Sequence, residues 1–239
     1  MTLKQRLGAW LIPRLPVNPW VFRIFRVELN AMMVRSLSCI HPGWIAKRHA
    51  LARRRGLLVN VGCGPSGREG WVNLDLFDAP HLTMRADCRS RLPLADSSAR
   101  GIHVEHYLEH LEPTTERQRF LSECRRCLES GGVLRIVVPD MAKYIKAYAA
   151  PGWETLNKVG CGGDVPEQSF ATKIEALNHV FVQGGEHYGG FDEDYLRHTL
   201  VQAGFTNIDR VDWRQGRFPG GAIDRDQHRP YSLYMEAVR

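Results

Sequence analysis

The feature that most constrains the fold is an apolar run, Leu57–Val61, which leads directly into a glycine-rich turn at residues 62–67. Beyond this turn, short apolar stretches alternate with amphipathic ones, a pattern typical of an α/β protein with a mostly parallel sheet. The periodicity predicts helices over 115–129 and 192–204. It predicts further strands at 71–76, 82–85, 101–105, 133–138, 205–213 and 231–238.

The turn itself, Gly-Cys-Gly-Pro-Ser-Gly at 62–67, matches the G-x-G-x-x-G pattern of dinucleotide-binding proteins. That pattern requires a helix at the third glycine, because the helix N-terminus binds the pyrophosphate. Only residues 68–70 separate Gly67 from the next strand, so no such helix fits, and this disfavours NAD and FAD. Asp75 follows Gly62 by 13 residues, at the end of the second strand, where a carboxylate can accept both hydroxyls of a ribose. The alternative for Asp75 is a turn cap.

A series of motifs then makes the sequence recognisable. They are Leu-Leu-Val-Asn-Val-Gly-Cys-Gly-Pro at 57–65, Gly-Trp-Val-Asn-Leu-Asp at 70–75, Asp87, Leu-Pro-Leu-Ala-Asp at 92–96, Glu-His-Tyr-Leu-Glu-His-Leu at 105–111, Cys-Leu-Glu-Ser-Gly-Gly-Val-Leu-Arg-Ile-Val-Val-Pro-Asp at 127–140, and Ala-Gly-Phe at 203–205. Over about residues 56–213 the chain resembles class I S-adenosylmethionine-dependent methyltransferases. It is most similar to the type 11 subgroup, which includes enzymes associated with surface-polysaccharide biosynthesis.

This resemblance implies an α/β, Rossmann-like fold with a seven-stranded sheet, six strands parallel and one antiparallel, and helices on both faces. It implies S-adenosylmethionine as the cofactor. Gly62 and Gly64 are expected at its methionine part, Asp75 at the ribose, Asp87 at the adenine amino group and the Cys88 N–H at the ring. The cofactor site implied by the resemblance consists of Gly62, Cys63, Gly64, Asp75, Leu76, Asp87, Cys88 and Glu105. One departure is Asn60, which occupies a position that is acidic in many members.

Three residues are candidates for the chemistry of methyl transfer. The methyl group leaves a sulfonium, already a good leaving group, so the enzyme mainly aligns and desolvates the acceptor and removes its proton. His106, His187 and Asp140 are the expected catalytic residues; His106 and Asp140 follow the fourth and fifth strands, where family members line the active site. A lone histidine is also often structural. Glu109 and His110 are interpreted as capping and packing residues, and no metal site is expected.

Charge is distributed unevenly along the chain. Residues 1–55 contain 11 Lys/Arg and one acidic residue, whereas 56–239 contain 21 Lys/Arg and 25 Asp/Glu. We interpret 1–55 as a basic helical extension, with a helix from Asn18-Pro19 to His41-Pro42-Gly43, and 56–239 as the methyltransferase domain. The extension is expected either to pack on that domain or to lie on anionic membrane. The aromatic residues available for anchoring are Trp10, Trp20, Phe22, Phe25 and Trp44.

The remaining expectations concern partners, compartment and rival functions. Residues 150–190 are interpreted as an inserted loop that acts as a lid or acceptor-binding region. The acceptor is expected to be a small-molecule or saccharide hydroxyl, and nucleic acid is not expected. Without an apolar run of about 18 residues or a disulfide framework, we expect a cytoplasmic protein, peripheral at most to the inner membrane face. Two alternatives stay open: a nicotinamide-dependent oxidoreductase, and a non-catalytic binding module.

Overall fold

The computed structural model describes residues 14, 18–160 and 170–239. Within them, seven strands form one sheet in the order β3-β2-β1-β4-β5-β7-β6, with only β7 antiparallel to its neighbours. This order confirms the predicted class I methyltransferase fold. The strands are β1 (Leu57–Val61), β2 (Val72–Asp75), β3 (Met84–Arg85), β4 (Ala99–Glu105), β5 (Leu128–Pro139), β6 (Thr206–Arg210) and β7 (Ser232–Val238).

Helices surround this sheet and precede it. They are α1 (Pro19–Ile40), α2 (Pro42–Ala52), α3 (Glu116–Cys127), α4 (Met141–Ala149), α5 (Glu154–Val159), α6 (Lys173–Val182) and α7 (Glu193–Gln202). The prediction of a helix ending at His41-Pro42-Gly43 is confirmed for α1, but the chain immediately forms a second helix, because a proline is well tolerated at a first helical position. No helix of the described part of the chain is long and apolar enough to cross a membrane.

Alternating residues of the central strands face opposite sides of the sheet. Ile102 and Val104 of β4, for example, join the main apolar core, together with Phe120 of α3 and Leu196 of α7. Cys124 and Cys127 of α3 are fully buried in the same core. The opposite side of β4, β5 and β7 carries polar residues and is covered by the segment between β6 and β7.

The segment 150–190 differs from the loop that was predicted. Its described part forms α5 and α6, which pack with α4 as a second small core around Tyr144, Leu156 and Val180. The helices are short, at six and ten residues. The glycine-rich composition of the segment favoured the interpretation as a loop. Residues 161–169 of the expected lid lie outside the described residues, as does Trp10 of the N-terminal extension.

Candidate active site

The glycine turn after β1 is shaped by close packing as well as by backbone conformation. Gly62 adopts a φ of +64°, and a Cβ atom at this position would lie 2.7 Å from Cδ2 of Tyr107. The turn is anchored by the N–H groups of Gly62 and Cys63, which both donate to the Leu74 carbonyl. Asn60 adds a hydrogen bond from its side-chain amide to the Ser66 carbonyl. A side chain at Gly62 would therefore disturb both the turn and Tyr107.

Asp75, at the carboxyl end of β2, is oriented by two backbone groups. Its Oδ2 accepts the Gly64 N–H at 2.8 Å, and its Oδ1 accepts the Phe77 N–H at 2.9 Å. Each carboxylate oxygen has a second lone pair, so the group can accept two further hydrogen bonds. The two hydroxyls of a ribose match this capacity. Asp75 also fixes the turn, so the capping and the binding interpretations are compatible.

A cavity of about 560 Å³ lies beside this turn. Its size is within the range of small-molecule and cofactor sites. Of the residues expected at the cofactor, Gly62, Asp75, Leu76, Asp87 and Cys88 line it, and the expected catalytic residue His106 does too. Cys63, Gly64, Glu105, His187 and Asp140 are not among its lining residues. The wall opposite the sheet is formed by α1 through Arg23, Ile24, Arg26, Val27 and Glu28.

Asp87 has strong partners of its own. Arg35 of α1 donates from Nε to Oδ2 at 2.7 Å, and Arg89 donates from Nε to Oδ1 at 3.0 Å. Burial would raise the pKa of Asp87, but these two guanidinium groups outweigh it and hold the pKa below its usual value. Contact between Asp87 and an adenine amino group stays a prediction, and it requires that group to approach a carboxylate already bound to two arginines.

Glu105 ends β4 on the side away from the cavity lining. Its Oε1 accepts the Arg225 N–H at 3.0 Å and lies 2.9 Å from Nδ1 of His228. Burial would raise the pKa of Glu105, whereas the hydrogen bond to His228 and the nearby positive charges lower it overall. In this arrangement Glu105 anchors the segment before β7 to the end of β4. Its expected role in cofactor binding stays a prediction.

His106 adopts a φ of +52°, which is uncommon for a residue other than glycine and often marks a functional position. Its Nε2 lies 2.9 Å from Oγ of Ser232, and its ring lies against that of His228, with centroids 3.9 Å apart and ring planes tilted by 30°. Burial, assisted by the positive charges of His228 and Arg225, lowers the pKa of His106 well below its usual value. The imidazole is consequently neutral at pH 7, so it has a lone pair available for a proton, but its lowered pKa makes it a weaker base than a free histidine.

The other two catalytic candidates occupy different surroundings. His187 is buried, and its Nδ1 lies 2.8 Å from the Val180 carbonyl; burial together with His110 lowers its pKa to about 4. Asp140 is the N-cap of α4, where it accepts the N–H groups of Ala142 and Lys143, and Arg210 contacts its Oδ2 at 3.3 Å. Asp140 therefore has a structural function, and catalytic roles for both residues stay predictions.

Several residues around the cavity were not identified from the sequence. Arg35 and Arg89 hold Asp87, Tyr107 packs against the glycine turn, and Ser232 and His228 contact His106. Tyr107 and Arg89 are local to the motifs, since Tyr107 stands in the motif at 105–111 and Arg89 follows Asp87 by two residues. Arg35, Ser232 and His228 come from distant parts of the chain, and no spacing relates them to the motifs.

The connection between β1 and β2 shows whether the site could bind a dinucleotide through its pyrophosphate. It contains only a 3₁₀ turn, Gly64–Ser66, so the helix that would bind a pyrophosphate is absent from this connection. Residues 70–136 match a family model described as a methyltransferase domain, a stretch that includes Asp75, Asp87 and His106. The chain therefore contains a methyltransferase domain of the S-adenosylmethionine-dependent kind. This match favours a methyltransferase over the nicotinamide-dependent oxidoreductase and the non-catalytic module.

Solved structures similar to this methyltransferase come from several organisms. One is a SAM-dependent methyltransferase from Archaeoglobus fulgidus, with 14% identity, coverage of 89% of this chain and 94% of that one, and a TM-score of 0.43. A Mesorhizobium loti enzyme has 18% identity, coverage of 82% and 97%, and a TM-score of 0.45. The 1,6-didemethyltoxoflavin-N1-methyltransferase of Burkholderia thailandensis has 16% identity, coverage of 93% and 91%, and a TM-score of 0.46. No curated protein matches the chain.

Proposed function

We propose that this methyltransferase transfers the methyl group to a hydroxyl of a small molecule or saccharide. The observation that carries the proposal is His106, a buried, neutral imidazole that lines the same cavity as Gly62 and Asp75. A hydroxyl loses its proton during methylation, so a neutral base beside the cofactor site suits this acceptor class. The resemblance to the polysaccharide-associated subgroup supports the saccharide part of the proposal.

The roles of the residues follow from their positions. When bound, S-adenosylmethionine supplies a methyl group on a positively charged sulfur. Asp75 and the turn at Gly62 hold the cofactor, while α1 closes the outer wall of the cavity and reduces access of water. His106 accepts the hydroxyl proton as the oxygen–carbon bond forms and the carbon–sulfur bond breaks, with S-adenosylhomocysteine as the leaving product. Ser232 orients the imidazole through its hydrogen bond to Nε2.

His106→Asn tests the proposed base. Asparagine tolerates the left-handed backbone at this position but cannot accept the proton. We expect kcat for methyl transfer to fall by about a hundredfold, as for loss of a general base, while the Kd for S-adenosylmethionine changes less than about threefold. The measurement is transfer of labelled methyl groups to a panel of saccharide and small-molecule hydroxyl acceptors, with calorimetry for the cofactor.

His81→Asn is the matched control, because His81 is exposed, has a φ of +56° and does not line the cavity. It should retain the parent's turnover. Equal turnover of the His106→Asn variant and the parent would contradict the proposed role of His106. Methylation confined to nitrogen or sulfur acceptors would contradict the proposal that the acceptor group is a hydroxyl.

We propose, in addition, that the outer face of α1 rests on an anionic membrane surface. Apolar residues recur along this helix at spacings of three, four or seven and are 39% to 72% exposed, although the opposite face of the helix, with Ala31 and Val34, is buried on the domain. The exposed set is Phe22, Phe25, Leu29, Met32, Met33 and Ile40. Arg26 of α1 is exposed, as are Lys47 of α2 and Arg53–Arg55 after it, and these basic residues favour a negatively charged surface.

Vesicle co-sedimentation of the full chain checks this proposal. We expect binding to vesicles containing phosphatidylserine but not to neutral ones, and weaker binding as salt increases. The double variant Phe25→Ser and Leu29→Ser should bind at least about tenfold more weakly, because it loses two apolar side chains of the face. The control is Ile145→Ser with Val201→Ser, at positions 53% and 54% exposed on other helices. The proposal would be contradicted if both double variants lost vesicle binding equally, or if the parent did not bind vesicles.

A further inference from the structure

Beside the cavity, three potential metal ligands come together from two distant segments. Glu109 and His110 lie in a short 3₁₀ helix after β4, and His187 follows α6. One ligand atom from each residue lies within 4.8 Å of the other two. We propose that Glu109, His110 and His187 form a binding site for one divalent transition-metal ion at the wall of the methyl-transfer cavity.

The hydrogen bonds of the two histidines prepare them as ligands. Nδ1 of His110 lies 3.1 Å from the Glu186 carbonyl, and Nδ1 of His187 lies 2.8 Å from the Val180 carbonyl. A carbonyl only accepts, so each Nδ1 carries the proton and each Nε2 keeps a free lone pair. This arrangement, in which a backbone carbonyl fixes the tautomer of a ligating histidine, is common around protein-bound metals.

The Glu109 carboxylate provides an independent observation. The residue is 1% exposed, and neither Oε1 nor Oε2 has a hydrogen-bond partner. Nδ1 of the neutral His106 imidazole lies 3.5 Å from Oε1, which is beyond a good hydrogen bond. Buried carboxylates are normally paired or coordinate a metal. A cation between Glu109 and the two histidines would satisfy this unpaired group.

A backbone hydrogen bond joins the two segments that carry the three ligands. The Tyr188 N–H donates to the Glu109 carbonyl at 2.9 Å, which joins the residue after His187 directly to the other half of the site. A tetrahedral ion with bonds of about 2.1 Å places its ligands about 3.4 Å apart. The ligand atoms lie within 4.8 Å of one another, so they would need to approach by about 1.4 Å at most to bind such an ion. The packing role expected for Glu109 and His110 does not explain the unpaired carboxylate.

The chemistry of the three ligands determines which metal ions the site prefers. Two imidazole nitrogens and one carboxylate favour Mn²⁺, Fe²⁺, Co²⁺ or Zn²⁺ over Mg²⁺ and Ca²⁺, which prefer oxygen ligands. Three protein ligands leave further positions open for other oxygen ligands. His110 lines the cavity, so an acceptor oxygen there can reach the ion. On the proposed function, the ion would bind the hydroxyl and ease its deprotonation, and His106 would take the proton.

Co²⁺ titration of the full-length protein tests the metal site without cofactor or acceptor. We expect one ion per chain, with visible absorption bands that indicate nitrogen and oxygen coordination. Glu109→Gln and His187→Asn should each weaken Co²⁺ binding at least thirtyfold. The exposed His198, on α7, provides the control His198→Asn, which should bind as the parent does. Equilibrium dialysis with Zn²⁺ and Mn²⁺ measures the same site with biologically available ions.

Folding of the variants is checked by thermal unfolding and by calorimetry with S-adenosylhomocysteine, whose expected contacts, Gly62 and Asp75, are not among the three metal ligands. Added Zn²⁺ should raise the melting temperature of the parent and of His198→Asn, but not that of Glu109→Gln. No binding by the parent, or equal binding by all variants, would overturn the metal site. A parent that binds metal but methylates no hydroxyl would instead contradict the proposed function and leave the site intact.

Discussion

Replacing Asp75 by alanine is expected to weaken S-adenosylmethionine binding by about a hundredfold. The carboxylate lines the cavity and keeps a lone pair on each oxygen after accepting the Gly64 and Phe77 N–H groups. Hydrogen bonds to a charged group contribute about 1.5–3 kcal/mol each, so losing both ribose contacts costs roughly 3 kcal/mol. Isothermal titration calorimetry with the cofactor and with S-adenosylhomocysteine measures the effect.

Asp78→Ala is the matched control for this experiment. Asp78 lies three residues further along the same connection, its side chain is 85% exposed, and it does not line the cavity. The two variants lose the same charge, so a general electrostatic effect would weaken both equally. A change of less than about threefold in the Asp75→Ala variant would remove Asp75 from the cofactor site, and its role would then be limited to the turn.

The N-terminal helix α1 contributes to the site as well as to the surface. Its inner face closes the cavity, Glu28 pairs with Arg89, and Arg35 pairs with Asp87. The sequence alone presented packing on the domain and membrane contact as alternatives for residues 1–55. The two faces of one helix allow both, because α1 buries Ala31 and Val34 on one side and exposes apolar side chains such as Phe25 and Leu29 on the other.

The elements of the fold were predictable where the pattern is local. The apolar stretches at 101–105 and 231–238 identified β4 and β7. The helix predicted over 192–204 is α7, and its N-cap Asp192 accepts the Tyr195 N–H. Local patterns did not identify α5, because a helix of six residues gives too few turns to establish a period. The ten-residue α6 was missed as well, since the stretch 150–190 is rich in glycine and was interpreted as a loop.

The site was predictable only in its local parts. The turn at Gly62 and the position of Asp75 follow from a strand and the residues after it. Asp87, by contrast, meets an arginine 52 positions away, and Glu109 meets His187 from a segment between α6 and α7. These contacts depend on how helices pack, which one sequence does not specify. The same limit applies to the buried ionic cluster on the far side of the sheet.

That cluster is centred on Arg135, which is fully buried in the middle of β5. Its Nε donates to Oδ1 of Asp224 at 2.7 Å, and its Nη1 donates to Oε1 of Glu236 at 2.7 Å. His103 of β4 also lies 3.1 Å from Oδ1 of Asp224. Asp224 thus connects the segment before β7 to two neighbouring strands.

Asp224→Ala is expected to lower the free energy of unfolding by about 3–5 kcal/mol, because it leaves the Arg135 charge buried with one carboxylate instead of two. Urea unfolding at pH 7 measures this. The control is Asp226→Ala, since Asp226 has a side chain 77% exposed and a surface pair with Arg214. An exposed pair contributes at most about 1 kcal/mol. Similar losses in the two variants would show that the cluster adds no more than a surface pair.

The effect of pH provides a second check on Asp224. Burial would raise its pKa, but hydrogen bonds from His103 and Arg135 and the Arg135 charge hold the pKa well below the usual 3.8. A carboxyl group with a lowered pKa in the folded state contributes its full stabilisation above its unfolded pKa, and loses it as pH falls towards the folded value. The difference between parent and Asp224→Ala should therefore be constant from pH 5 to 7 and narrow below about pH 4. A difference that stays constant down to pH 2 would mean that the ionised carboxylate is not the source of the stability.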